Sequence, residues 1–194
     1  GSIIGTQQKQ DSGQANLTDK KKQLNQTPII IVPQAPTSLI STINIKELLE
    51  KGLYKSPEQR KEEGAKKEET VTVAHYEEGH NYHYKVVDCA AQMKPEDWQR
   101  VVAVFVQGPA WQFKDFDLSI FGGKLVNMFN RVSAFHIEWE KEPRHANILL
   151  WNVKVLTVHR TKRHYDEKVM NTFWDNLKAN RRLAVQRKHA SKSA

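Results

Sequence analysis

The stretch WQRVVAVFVQGPAWQF, Trp98 to Phe113, decides how this chain folds. Val101 to Val106 is the longest unbroken apolar run, and four of its six residues are valine. The run is too short for a buried helix, lacks alternation, and stops at Gly108-Pro109. It reads as a central strand of a mostly parallel sheet, buried on both faces. Ahead of it, Pro95 suits a first helical position, and Glu96 and Asp97 suit the positive end of a helix dipole. Behind it, Trp111 and Phe113 flank the amide of Gln112 where the chain has just left the sheet. Binding sites of open α/β sheets gather outside the carboxyl ends of strands. One stretch thus supplies a core strand and a candidate recognition loop.

Working outward, Ile29 to Val32 is a second buried strand between prolines. Thr37 or Ser38 is placed to cap a short helical segment around Leu39 and Ile40. Asn44 and Glu47 have capping-box spacing ahead of a helix carrying Ile45, Leu48 and Leu49, which Gly52 ends. Lys55 to Thr70 is charged, balanced in sign and without an apolar anchor, and is expected to be a mobile loop. Val71 to His75 and Tyr82 to Asp88 suggest a hairpin across Glu77-Glu78-Gly79. Leu125, Val126, Phe129 and Val132 fall at helical spacing. Phe135, Ile137 and Trp139 alternate as a strand. A short helix is expected on Ile148, Leu149 and Trp151, then a last strand through Val153, Val155, Leu156 and Val158. A long helix starts at Asp166 with Val169, Met170, Phe173, Trp174 and Leu177 inward. Strands alternating with helices argue for an α/β layered domain with right-handed crossovers.

A length of 194 residues suits one domain with flexible ends. Gly1-Ser2 resembles an expression scar, and residues 1–26, almost without apolar side chains, are expected to be disordered. The domain proper is expected over 27–185, with its mobile loop at 55–70 and a basic disordered tail at 186–194. The net charge is +8, and His159 to Ala194 holds +7 of it, ten Lys/Arg against three Asp/Glu. A basic end points to an acidic partner such as nucleic acid, a phosphopeptide or an acidic protein face, or else to a solvated tail. Cys89 is the single cysteine, so no internal disulfide forms, and a buried structural thiol is its ordinary state. No run approaches bilayer-spanning length and no signal-peptide pattern shows, so a soluble intracellular chain is expected.

Enzymatic chemistry finds little support. The loop Pro33 to Ser38 stands where a phosphate cradle would follow the first strand, but it lacks the glycines and lysine, and its two prolines remove backbone donors. Gly122-Gly123-Lys124 matches only locally, without the strand and first glycine that the motif needs. His75, His80 and His83 lack a completing ligand set, so no metal is expected, and no cofactor either. No serine sits in a nucleophile elbow, and no carboxylate pair is placed to split its pKa values.

Recognition surfaces remain. Trp and Arg are the residues most enriched at binding hot spots, which singles out Arg100 and Trp111. The competing reading makes Trp111 core and pairs Arg100 with Glu96. Arg160, Lys162 and Arg163 sit at the carboxyl end of the last strand, suited to phosphate or acidic groups, or to an exposed polar loop. Arg181 to Lys192 would touch nucleic acid through counterion release, without aromatics to stack bases.

The opening stretch, extended as PEDWQRVVAVFVQGPAWQFK from Pro95 to Lys114, resembles the C-terminal domain of the parafibromin family. The resemblance continues through Pro28 to Pro33, Thr37 to Ile40, Ala134-Phe135-His136, Trp151 and Val153, Lys162-Arg163-His164 and Phe173-Trp174. It covers about Pro28 to Leu183, leaving out the Lys55–Tyr82 region. It implies a Ras-like three-layer α/β sandwich, with a mostly parallel central sheet, that binds no guanine nucleotide. It implies a nuclear, non-enzymatic subunit of the polymerase-associated factor (Paf) complex, working in transcription elongation, histone modification and chromatin attachment. Implied partners are the other Paf subunits and the phosphorylated C-terminal repeats of RNA polymerase II and of an elongation factor. Arg100 and Trp111 match family positions implicated in attachment, with Gln112, Arg160, Lys162 and Arg163 as further candidates.

Overall fold

A computed structural model describes residues 26–194. The scar at Gly1-Ser2 and all but Gln26 of the expected disordered segment therefore lie outside the described residues. The strands are β1 Ile29–Ile31, β2 Thr70–Glu77, β3 His80–Val87, β4 Val101–Phe105, β5 Ser133–Trp139 and β6 Lys154–Val158. They form one six-stranded sheet in the order β2-β3-β1-β4-β5-β6. All pairings are parallel except the β2–β3 hairpin. That hairpin turns at Glu78 and Gly79, whose φ values of 49° and 79° are those of a tight primed turn.

β1 and β4 lie side by side in the middle, and neither has a wet face. Strict alternation would put Val101, Ala103 and Phe105 together. Instead the register steps from Ile29↔Val101 to Ile30↔Ala103, a bulge at Val102. As a result Val101, Val104 and Val106 pack into one core and Ala103 and Phe105 into the other. The first core is covered by α3 Leu125–Arg131, α4 Ala146–Leu150 and the 3₁₀ turn Pro95–Arg100, whose Trp98 is buried. The second is covered by α1 Ile45–Lys51 and α5 Asp166–Lys192. Helix α5 docks through Phe173, whose ring centroid lies 4.6 Å from Phe135 and 5.7 Å from Phe105. It is pinned at Trp174, whose Nε1 donates to the Leu49 carbonyl at 2.8 Å.

Several local expectations are corrected. Residues 37–40 are irregular, following a turn at Pro36 and Thr37, and not a helix; the Ser38 hydroxyl donates to the Ile40 carbonyl, a local bond that competes with helix formation. Asn44 occupies the N-cap position of α1 without capping it. Its amide instead donates to the Leu39 and Lys55 carbonyls, and its Oδ1 accepts from Ser41 N–H. The loop expected at 55–70 contains a helix, α2 Pro57–Glu62, capped by Ser56 and started by Pro57. Arg60 ties it down by donating to the Ile43 carbonyl at 3.2 Å. Val126 and Leu149, assigned inward, are exposed; Met128, not singled out, is buried in place of Val126, while Ile148 is buried as expected. The tail expected to be disordered at 186–194 continues α5 as far as Lys192. Its Ala, Arg, Lys and Gln residues favour helix without any packing.

Phe173→Ala removes the ring that joins α5 to β4 and β5. It should cost about 3–5 kcal/mol, the usual range for a buried Phe→Ala. The measurement is the urea midpoint at unchanged slope.

Candidate partner-binding surfaces at the two ends of the sheet

β1, β4, β5 and β6 run parallel, so their carboxyl ends open on one edge. The loop after β1, from Pro33 to Pro36, occupies the position of a phosphate cradle and carries two prolines where N–H donors would be needed. Beside it a cavity of about 310 Å³ lies between the ends of β1, β4 and β5. Its deepest charge, Glu138, is closed off by Arg144, which donates from Nε at 3.0 Å and from a terminal nitrogen at 2.8 Å.

The β4 loop is built to fixed dimensions. Gly108 has φ 124°, and a Cβ there would come within 2.5 Å of His145 Cβ. Only glycine permits that approach. Asn147 then donates to the Gly108 carbonyl at 2.9 Å. Gln112, a candidate for recognition, is occupied by the fold. Its Oε1 accepts from Gln107 N–H at 3.0 Å and its Nε2 donates to the Phe105 carbonyl at 2.8 Å, closing the turn like a strut. The 3₁₀ turn Ala110–Phe113 then parts two aromatics. Phe113 goes inward against Phe116, Phe129 and Trp151, while Trp111 stays 56% exposed.

Trp111 stands on the rim of a groove. A cavity of about 170 Å³ reaches from Trp111 and Lys114 to Pro33, Gln34 and Asp88. A second, of about 290 Å³, shares those last three residues and continues to Pro36, Pro57, Lys61 and Lys67. Asp88 is buried and paired with Lys67 at 2.9 Å. The sequence reading missed Lys61, Lys67 and Lys114. The first two lie within a charged run that carries no periodic signal. Cys89, next to Asp88, is half-buried rather than buried.

Arg100 is elsewhere. It donates to the Thr27 carbonyl at 2.9 Å and to Asp97 at 2.6 Å, so it stands at the amino ends of β1 and β4. Its acidic partner is Asp97, not the Glu96 of the sequence reading. Arg100 and Trp111 thus occupy opposite edges of the sheet. Arg163 is structural too, joining the Tyr54 carbonyl to the buried carboxylate of Asp166. Burial holds the Tyr54 hydroxyl well above the ordinary phenol range. Arg160 is exposed, 4.5 Å above the Trp139 ring and 3.3 Å from Glu142, and Lys162 is exposed beside it. The basic end is partly neutralised: Lys178, Arg181 and Arg182 meet Glu77 and Glu78 at the hairpin turn. His75 stacks on Trp174 at 3.9 Å, and the hairpin register turns His83 to the other face from His75 and His80.

This is a Ras-like α/β domain with a mostly parallel sheet and prolines in place of the P-loop. The model of "RNA pol II accessory factor, Cdc73 family, C-terminal" matches residues 24–180, and the chain belongs to that family. Cell division cycle protein 73 of Caenorhabditis elegans is 32% identical over 166 residues, 86% of this chain and 32% of that protein. Protein CDC73 homolog of Arabidopsis thaliana is 35% identical over 157 residues, 77% of this chain and 37% of that protein. The chain spans about a third of the length of these curated relatives. A solved structure described as the conserved domain of yeast Cdc73 superposes with a TM-score of 0.67 at 26% identity, covering 79% of this chain and 95% of that one. None of these names is that of an enzyme.

Two outcomes test the site geometry. Gln112→Ala should cost about 1–3 kcal/mol, because it strands two backbone groups of the β4 turn. Trp111→Ala should stay within about 0.5 kcal/mol, as an exposed surface change does. Denaturant midpoints separate the two. At the other edge, burial alone would raise the Asp97 carboxyl, but the Lys94 N–H and the Arg100 guanidinium outweigh it and hold it below the ordinary range. A depressed acid stabilises above its unfolded pKa of about 3.9 and loses that contribution as pH falls through the folded value. The gap in stability between wild type and Asp97→Asn should therefore be constant above about pH 5 and shrink as pH falls below about 4.

Proposed function

We propose that this chain is the non-enzymatic interaction domain of a nuclear Paf-complex subunit, helping attach that complex to elongating RNA polymerase II and chromatin. It does so by capturing phosphorylated or acidic repeat segments. The observation that carries this reading is the groove at the carboxyl edge: an exposed Trp111 on its rim, three prolines along its wall, and Lys114, Lys67 and Lys61 along its length. An extended segment laid there stacks an apolar or ring side chain on Trp111 and sets its phosphates against the lysines. Lys67 changes partner, from Asp88 to the incoming phosphate. Arg160 and Lys162, further along the same edge, extend the positive field. Arg100 lies outside the groove and acts by holding the start of β4 to Thr27.

The non-enzymatic part of the reading rests on the names of the related proteins, none of which is that of an enzyme.

Phosphorylated and unphosphorylated polymerase repeat peptides, titrated by calorimetry, test the proposal. The phosphorylated peptide should bind at least about tenfold more tightly, Trp111→Ala should weaken it by a similar factor, and raising the salt should weaken it further. Arg100→Ala should lower thermal stability with little change in peptide affinity. Equal binding of the two peptides, or loss of affinity in Arg100→Ala at unchanged stability, sinks this assignment of the groove.

A further inference from the structure

A six-stranded open sheet has two edges, and this one treats them differently. At β2 an outward amide is already used: Ala74 N–H donates to the Glu50 carboxylate of α1 at 2.9 Å. At β6 the geometry is open. Glu140 N–H donates to the Val158 carbonyl at 2.9 Å, which turns the Val158 backbone toward β5. Backbone groups alternate along a strand with a period of two. Lys154, Leu156 and Val158 therefore bond to β5, and the N–H and C=O groups of Val155 and Thr157 point away from the sheet. No described residue is paired with that edge in the sheet.

Alongside lies a cavity of about 430 Å³, a trough between β6 and α5. Leu156 and Val169 give it an apolar floor, Thr172 gives a hydroxyl, and Lys154 and Lys168 stand on its two walls. His159 closes one end, its Nδ1 2.8 Å from Glu140. No carboxylate lines the trough among the described residues. The edge offers unpaired main-chain donors and acceptors, and the two charged side chains that line the trough, Lys154 and Lys168, are both positive.

We propose that β6 receives an extended acidic segment of a partner protein as an added strand, with main-chain bonds to Val155 and Thr157 and with carboxylates or phosphates against Lys154 and Lys168. Strand addition of this kind takes its affinity from the backbone and its selectivity from alternate side chains. Acidic residues at every second position reach the lysines on the α5 face, and the residues between them lie beside Val155 on the other face of the sheet. The surface is separate from the Trp111 groove, since β5 and β6 both lie beyond β4 in the sheet order. A short edge flanked by lysine also resists pairing with a second copy of itself, because two such edges would bring like charges together.

The test is amide exchange and chemical-shift mapping on the ¹⁵N-labelled domain. The probe is a peptide of about ten alternating glutamate and valine residues, long enough to span the strand. Without peptide, the amides of Val155 and Thr157 should exchange much faster than those of Leu156 and Val158. With peptide they should slow by at least about tenfold. N-methylation of the peptide along one edge should abolish the effect, and the double variant Lys154→Glu, Lys168→Glu should weaken binding at least about tenfold. The same double variant should still bind the phosphorylated repeat peptide at Trp111, so failure of this site and failure of that groove are distinguishable. Three results overturn the proposal: Val155 and Thr157 already protected in the free domain, equal binding of the N-methylated peptide, or an oligothymidylate shifting Lys154 and Lys168 while the peptide leaves the edge amides unprotected. The last would make the trough a nucleic-acid surface.

Discussion

Two adjacent strands, β1 and β4, have no face in water, and the rest of the fold answers that constraint. Their backbone groups need partners on both sides, which β3 and β5 supply by parallel pairing. Their side chains need cover above and below, which demands helices on both faces. The bulge at Val102 decides which valines go to which layer. Without it, Val104 and Phe105 would exchange sides, and the ring cluster of Phe105, Phe135 and Phe173 would lose a member. Helix α5 then has to arrive at a fixed place. The buried Asp166 fixes its start by accepting from Tyr54 N–H at 2.9 Å and from Arg163 at 2.8 Å.

A sheet of this kind leaves its carboxyl edge as the natural site, and here that edge has been rebuilt. Where a nucleotide-binding relative of the architecture needs free N–H groups and a flexible glycine loop, this chain has Pro33 and Pro36. Elsewhere along the edge, polar groups are used internally. Gln112 braces the β4 turn, Arg144 closes over Glu138, and His136 Nδ1 meets the Val106 carbonyl at 2.8 Å. What stays exposed along it is one large flat ring, Trp111, with Lys61 and Lys114 on the same groove. The same economy explains the arginines. Arg100 and Arg163 hold strand and helix ends together, and a guanidinium fork suits that bridging work better than an ammonium does. Lysines, mobile and strongly hydrated, are left for the surface.

The sequence was most legible where burial left no choice. VVAVFV and IIIV could only be interior strands, and the Phe173-Trp174 pair could only face inward. The bare prolines of the first loop were enough to remove the phosphate cradle. Legibility failed where polar side chains bond to backbone across distance. Asn44 looked like a cap and is a three-way strut; Gln112 looked like a recognition amide and is a brace. It failed again for α2, whose start signal, Ser56-Pro57, was submerged in balanced charge. Val126 and Leu149 were misplaced because in helices of seven and five residues one step of phase turns a side chain from core to solvent. The candidate site divided in the same way. Trp111 was readable as a residue type out of place in a loop, whereas Lys67 and Lys114 acquire meaning only once β3, α2 and the β4 turn are brought together.

Charge also explains the shape of the C-terminal end. Helix α5 is 27 residues long, yet its last buried residue is Leu177, so its second half is held by neither core. The first cations beyond that point, Lys178, Arg181 and Arg182, are drawn to Glu77 and Glu78 at the hairpin turn, which ties helix and turn together across the sheet. Burial alone would lower the Arg181 guanidinium, but its bond to Glu77 prevails and raises it, so this cation is held in its charged form. The +7 read along the last segment is therefore not a free field. Part of it is spent inside the domain, part stands at Arg160 and Lys162 beside the carboxyl edge, and Lys168 faces the open strand. A chain whose body is nearly neutral can in this way present two positive surfaces in different places, each next to an unfilled groove, while the rest of its charge serves the fold.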